Sequence, residues 1–294
     1  MEQTKHKPEP VQPGNPHKLT RNQHIFPRAS IERFRHRNAG ITAIHVASNR
    51  RIANLDASNK LFCANHVWDQ RAEGGFGANI EGDFQSLAER LIAGDMRWLS
   101  LNHRLITRFY TLWEGRAWYA EHPEPAVTFN SGRGTPDLTK DFKEHLEACH
   151  TSYIDETNSL PSRQATGLHI EFGIMKAMRT RGTLTWRLCR AGPDAGEFLV
   201  PDTPANFYIP LTPTLALLGA SDIDVARPNV MKVINLTALA HSRRFVIAHD
   251  VSRCFVAYSE HPFLHPRLRL RSGFDLFPDD CVAVSGDAKQ TDRT

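Results

Sequence analysis

The chain has no apolar run approaching the roughly 20 residues a membrane-spanning helix needs, and its first 18 residues lack the apolar core of a secretory signal. Those two absences point to a soluble, cytoplasmic protein. Cysteine is sparse and scattered: Cys63, Cys149, Cys189, Cys254 and Cys281 are five in number and never spaced C-x-x-C. The pattern suggests neither a disulfide framework nor a zinc ribbon, and fits small core residues in a reducing compartment. No H-E-x-x-H, no D-x-D-x-D loop and no Cys/His pair at ligand spacing occurs, so no metal and no cofactor is implied. A G-x-S-x-G elbow and a dinucleotide fingerprint are missing too. Gly74-Gly-Phe-Gly77 lacks the spacing and the following lysine of a phosphate-binding loop. Charge of one sign is barely in excess: Lys plus Arg is 36 against 32 Asp plus Glu, a formal +4 with 15 His neutral. That balance permits a polyanionic partner without requiring one.

What is present is ordinary globular composition, 40% hydrophobic and 23% charged over 294 residues, enough for one large domain or two packed ones. Residues 1–21 carry four prolines and almost no apolar side chains, and are expected to form a disordered arm. Residues 22–284 read as a single large α+β domain, helical over 79–180 and β-rich over 182–284, with a frayed tail at 285–294. A strand over 40–47 turns into a second extended piece after Asn49, forming a hairpin. Helices are expected from Asn79, with Ile80, Phe84, Leu87 and Leu91 as its apolar stripe, from Ser100 to Tyr119, from Leu138 to Tyr153 and from Gly167 to Arg179. Beyond Gly182, Thr183–Cys189 and Glu197–Val200 read as two strands of one hairpin. Further extended pieces follow at 206–211, 244–249 and 255–258, and residues 230–235 lead into a helix over 236–242. Helices in the middle and strands clustered later give α+β, with an N-terminal strand pair, a central helical bundle and a later antiparallel part packed on it.

Several short motifs recur in one order. His24, Pro27, Ile31 and Phe34 form a His-x-x-Pro-x-x-x-Leu-x-x-Phe signature with Ile in place of Leu. Ile80-Glu81 with Phe84 opens a helix, and Phe109 to Arg116 forms an arginine-bearing one. Pro201-Asp-Thr-Pro204, Pro210-Leu-Thr-Pro213, and Asn235 ahead of Arg244-Phe-Val246 complete the set. Together, over about Asn22 to Tyr258, they resemble a bacterial family catalogued as domain of unknown function 4238, for which no reaction is assigned. The resemblance implies a fold and a candidate site. Pro201 stands where the family turn has Ser, and Thr203 where it has Asn.

The polar residues at these motifs have two readings each. His24 is a general acid or base near neutral pH, or a histidine holding a backbone carbonyl at the start of the first helix. Asp202 is a carboxylate displayed at a strand end, or an Asx-type turn acceptor. Arg108 and Arg116, with Arg104 on the same edge, form a phosphate clamp, or pair with carboxylates such as Glu81 and Glu114. Arg28, Asn235 and Arg244 are binding candidates, although Asn235 also serves as a helix cap. His265-Pro-Arg-Leu-Arg-Leu-Arg271 is an edge strand or a polyanion contact. The expectation is a hydrolase, nuclease-like, acting on nucleic acid or a nucleotide phosphodiester. In it His24 is acid or base, Asp202 orients it or the water, and Arg108 or Arg116 bears the phosphate charge. The alternative is a non-catalytic binding or regulatory module in which the same residues are structural. The expected partner is nucleic acid or a nucleotide and not a membrane; oligomeric state is left open.

Overall fold

A computed structural model describes residues 9–38, 40–130 and 137–254. The packed chain begins with β1 (Asn22–His24) and α1 (Arg28–Glu32), followed by a hairpin of β2 (Ile41–His45) and β3 (Arg50–Leu55), then β4 (Cys63–Asn65). A π-helical turn over Arg71–Gly75 leads into α2 (Phe76–Ile92), then α3 (Arg97–Leu101) and α4 (His103–Tyr119). Next come β5 (Val127–Thr128), α5 (Lys140–Ala148), β6 (Ser159–Leu160) and α6 (Ser162–Thr180). The last described part holds β7 (Trp186–Ala191), β8 (Val200–Pro201), β9 (Tyr208–Thr212), β10 (Leu215–Gly219), β11 (Val225–Ala226), α7 (Pro228–His241) and β12 (Phe245–Ala248). The class is α+β.

The sheets join parts of the chain far apart in sequence. The β2–β3 hairpin is continued by β12 and β8, in the order β3-β2-β12-β8, so the N-terminal pair and the late strands share one sheet. A second sheet runs β11-β7-β10-β9, antiparallel except for the β11–β7 pair. Two short pairs, β1–β4 and β5–β6, stand apart. The strands of the expected 183–200 hairpin do not meet each other. β7 pairs with β10, a strand the sequence reading missed, while Val200 pairs with Ile247 of β12. The helix expected over 236–242 also begins earlier, since residues 230–235 are themselves helical. Pro228 at the first position opens a helix running to His241, so Asn235 lies mid-helix and caps nothing. The helix expected from Asn79 begins three residues earlier, and the one expected over 100–119 is broken at Asn102 into α3 and α4. The strand read at 255–258, the stripe at 265–271 and the tail lie outside the described residues.

Polarity led to the expectation of disorder through residue 21, yet residues 9–21 are fastened to α5 and α6 by polar contacts in place of apolar burial. Gln12 donates its backbone N–H to Glu144 at 2.7 Å, His17 meets Asp141 at 2.8 Å, and Glu9 pairs with Arg163. Leu19 is the apolar anchor, and the Arg21 carbonyl accepts from the His66 backbone N–H.

The main core forms because the stripe of α2 (Ile80, Phe84, Leu87, Leu91) meets Phe109 and Trp113 of α4, with Phe84 and Phe109 stacked at 3.6 Å. Ile31 and Phe34 of the opening stretch fall into the same core. α4 packs against both α2 and α6, and reaches the second sheet through Tyr110, whose hydroxyl accepts from the Phe207 N–H, and Thr107, which accepts from the Trp186 indole. A smaller core of Phe198, Leu199, Tyr208, Met231 and Val246 lies under α7.

Arg116 binds these parts together. Its side chain is 2% exposed, ion-paired with Glu81 of α2 and, at 3.5 Å, with Glu73. It donates to the His24 carbonyl at 3.2 Å and lies over the Trp68 ring. Burial alone would lower its pKa; Glu81 and Glu73 more than offset that and hold it charged. Gly77 makes room for it, since a Cβ there would sit 2.8 Å from its Nη2 and 2.0 Å from the Ala72 carbonyl oxygen. Removing one member of a buried ion pair leaves the others uncompensated. Arg116→Ala is therefore expected to lower unfolding free energy by about 3–5 kcal/mol in urea titrations; a loss under about 1 kcal/mol would contradict this role.

Candidate functional site

Each residue expected to do chemistry has a place in this frame. His24, at the end of β1, directs Nε2 at the Ala57 carbonyl at 3.0 Å, so that nitrogen carries the proton and donates it to backbone. Asp202 follows β8 and turns its carboxylate onto the chain entering β12. It accepts from the backbone N–H groups of Arg243 at 2.9 Å, Arg244 at 2.8 Å and Phe245 at 3.3 Å. Burial still raises its pKa, against the lowering effect of those N–H groups. Asn235 is fully buried, accepting from the Leu199 N–H and donating to the carbonyls of Glu197 and Cys254. Arg244 donates to the Leu61 carbonyl at 3.1 Å. Arg28 is exposed on the first turn of α1. Of the four catalytic candidates, Arg116 and His24 touch, but through the histidine's backbone oxygen and not its ring.

Arg116 is thereby withdrawn from any phosphate clamp. The pairing with Glu81 considered for it is the one found, and Glu114 pairs with Arg181 at 2.8 Å. The grouping of three arginines on one helix edge fails for a geometric reason. At 3.6 residues per turn, Arg104 and Arg108 are about 40° apart, whereas Arg116 is rotated by about 120° from Arg104 and points inward.

Arg108 and Arg104 remain, and they face a cleft. It has two lobes between α2, α3, α4 and α6, with volumes of about 620 Å³ and 370 Å³ that share Arg104, Arg108 and Met178. The larger lobe adds Arg90, Trp98, Asn102 and Asp83 around Leu87 and Leu105. The smaller adds Arg179 and Glu171 around Phe76, Ile174 and Met175. Arg104, Arg108 and Arg179 are all exposed and make no ion pair with any described residue, while Glu171 is taken up by Arg71. The result is an open concavity with an apolar floor and a guanidinium rim, sized for a small ligand. Sequence reading found Arg104 and Arg108 through their i, i+4 spacing. It missed Arg90, Trp98 and Arg179, because they come from three other helices and only tertiary packing unites them.

Among the described residues no helix is long and apolar enough to cross a membrane, and no three His, Cys, Asp or Glu side chains are grouped to hold a metal ion. No family model, no curated protein and no solved structure matches the chain. The resemblance to domain of unknown function 4238 therefore rests on its motifs alone.

Two consequences can be measured. Asp202→Ala strips three backbone donors of their acceptor and should cost about 2 kcal/mol of stability, read by thermal or urea unfolding; an unchanged midpoint would mean the turn does not need it. Glu114, 16% exposed beside Arg181, has its pKa pushed up from 4.5 to about 7, chiefly by burial, with Arg181 acting the other way. The folded chain binds that proton more tightly than the unfolded one, so stability falls as pH rises from about 4.5 to about 7. Glu114→Gln should flatten that part of the stability–pH curve, and a slope identical to the parent's would refute the assignment.

Proposed function

We propose that this protein is a non-catalytic binding module for phosphate-bearing ligands of the nucleotide or nucleic-acid type, received in the Arg104–Arg108 cleft. The observation that carries this reading is the exposed pair of guanidinium groups one helical turn apart, both unpaired among the described residues and both lining the two lobes. A guanidinium offers a planar fork of donors that matches phosphate oxygens. Two of them on a rigid helix are held in place before a ligand arrives. The apolar floor beneath them suits the non-phosphate part of such a ligand.

The hydrolase reading draws less support. It needs His24 as a proton carrier and Asp202 as its partner, but the His24 Nε2 and both Asp202 oxygens are already bonded to backbone. Arg116 is buried and compensated. Arg108 alone of the four stands where a ligand can reach it.

The test is calorimetric titration of the full chain with inorganic tripolyphosphate. Arg104→Gln with Arg108→Gln should weaken binding at least tenfold, a loss of about 1.4 kcal/mol, and make it less sensitive to salt. His24→Ala should leave the affinity unaltered. Binding indifferent to the double substitution would sink the proposal, and phosphate release that disappears in His24→Ala would restore the hydrolase.

A further inference from the structure

The larger lobe has a feature that phosphate recognition does not use. Trp98, 37% exposed, lines it beside Arg90, Arg104 and Arg108. Its indole is fixed from two sides. The Nε1–H donates to Asp95 at 3.1 Å, and the Arg90 guanidinium lies over the ring at 4.1 Å. Asp95 is itself held by Arg97, which donates to both its oxygens. An aromatic ring of that size left at a surface, locked in orientation and bordered by exposed arginines, is a stacking platform rather than a core residue.

Resting on the phosphate reading of the same cleft, we infer that its ligand is single-stranded nucleic acid, with an unpaired base on the Trp98–Arg90 stack and backbone phosphates on Arg104 and Arg108. An aromatic ring and a guanidinium plane are the two surfaces on which unpaired bases stack, and every base has a π-face to offer. Paired bases in a duplex are sealed from such a platform. The arginines line a concavity of about 620 Å³, the size class of small-molecule pockets, which has room for a splayed-out nucleotide. Leu87, Leu105 and Met178 supply the sequence-tolerant apolar surface around it. The smaller lobe, sharing Arg104 and Arg108 and lined also by Arg179, extends the track for a neighbouring nucleotide. An acidic peptide would satisfy the arginines, but it would leave the oriented indole without a matching face.

Fluorescence anisotropy of a labelled twelve-residue oligothymidylate tests this, using the full-length chain and unlabelled competitors. The single strand is expected to bind at least tenfold more tightly than a duplex of equal length. Trp98→Leu should weaken the single strand about tenfold while leaving the directly titrated affinity for tripolyphosphate unchanged, and Trp98→Phe should restore most of the loss. Circular dichroism melting confirms that each variant is folded, and Arg90→Gln, which removes the guanidinium but keeps the indole, gives a second and smaller decrease. If tripolyphosphate binding depends on Arg104 and Arg108 but Trp98→Leu leaves the oligonucleotide affinity intact, the single-strand inference is overturned and the phosphate reading stands. If neither ligand responds to the arginine substitutions, both fall. Equal affinity for the duplex, or displacement by poly-glutamate as effective as by the single strand, also overturns it.

Discussion

The structure depends on one buried guanidinium. Arg116 receives Glu81 and Glu73 from the α2 region, donates to the His24 carbonyl on β1 and covers Trp68. Four pieces of chain, separated by up to 92 residues, are thereby held to one side chain. A lysine could not replace it. The ammonium is a point charge, whereas the guanidinium fork reaches two carboxylates and a carbonyl in different directions at once. The requirement runs back into the sequence. Gly77 must lack a side chain, and the chain before Pro27 must present its backbone oxygen inward. Gln23 does the neighbouring work, accepting from the Val67 N–H and donating to the Trp68 carbonyl at 2.7 Å each. The opening stretch is thus a structural keystone whose Gln23 and His24 side chains bond backbone groups of Val67, Trp68 and Ala57.

That outcome explains which parts of the molecule were legible in sequence. Apolar periodicity marked Phe84 on the stripe of α2 and Phe109 on that of α4, because a helix face that buries hydrophobes writes its period directly. The stacking of the two rings came only with the structure. The β2–β3 hairpin was equally readable. Pairing partners were not. Val200 joins β12, and β7 joins β10, through choices made by tertiary geometry, while adjacent extended runs look like hairpins to any local rule. The run at 230–235 lies outside the helix expected over 236–242 yet is helical despite its β-branched Val230, Val233 and Ile234, because propensity yields to context. Here Pro228 starts a helix and Asn235 bonds three backbone groups from its interior.

Polar residues were harder still. His24, Asp202 and Asn235 belong to residue types that build active sites, and the same donors and acceptors also satisfy buried backbone. Sequence shows the type but not the partner. Asp202 illustrates the difference: a carboxylate accepting three backbone N–H groups has its lone pairs committed, whatever motif surrounds it. The residues 9–21 err in the other direction. Proline and polarity suggested disorder, but carboxylates on α5 give that segment ionic and hydrogen-bonded seats that composition cannot reveal.

One helix, α4, therefore carries two kinds of arginine, and the contrast is the strongest argument for where function lies. Arg116 sits among carboxylates inside the core, where the protein compensates its charge in full. Arg104 and Arg108 stand one turn apart on the outer face, where like charges at i, i+4 oppose helix stability. Elsewhere the fold gives partly buried arginines a carboxylate, Arg181 with Glu114 and Arg243 with Glu121, whereas Arg104 and Arg108 have none among the described residues. Two guanidinium groups without an ion-pair partner among the described residues, at the junction of two lobes and next to a fixed indole, concentrate positive potential in a concave, partly apolar site. The charge balance that folding does not demand is the one a ligand would complete.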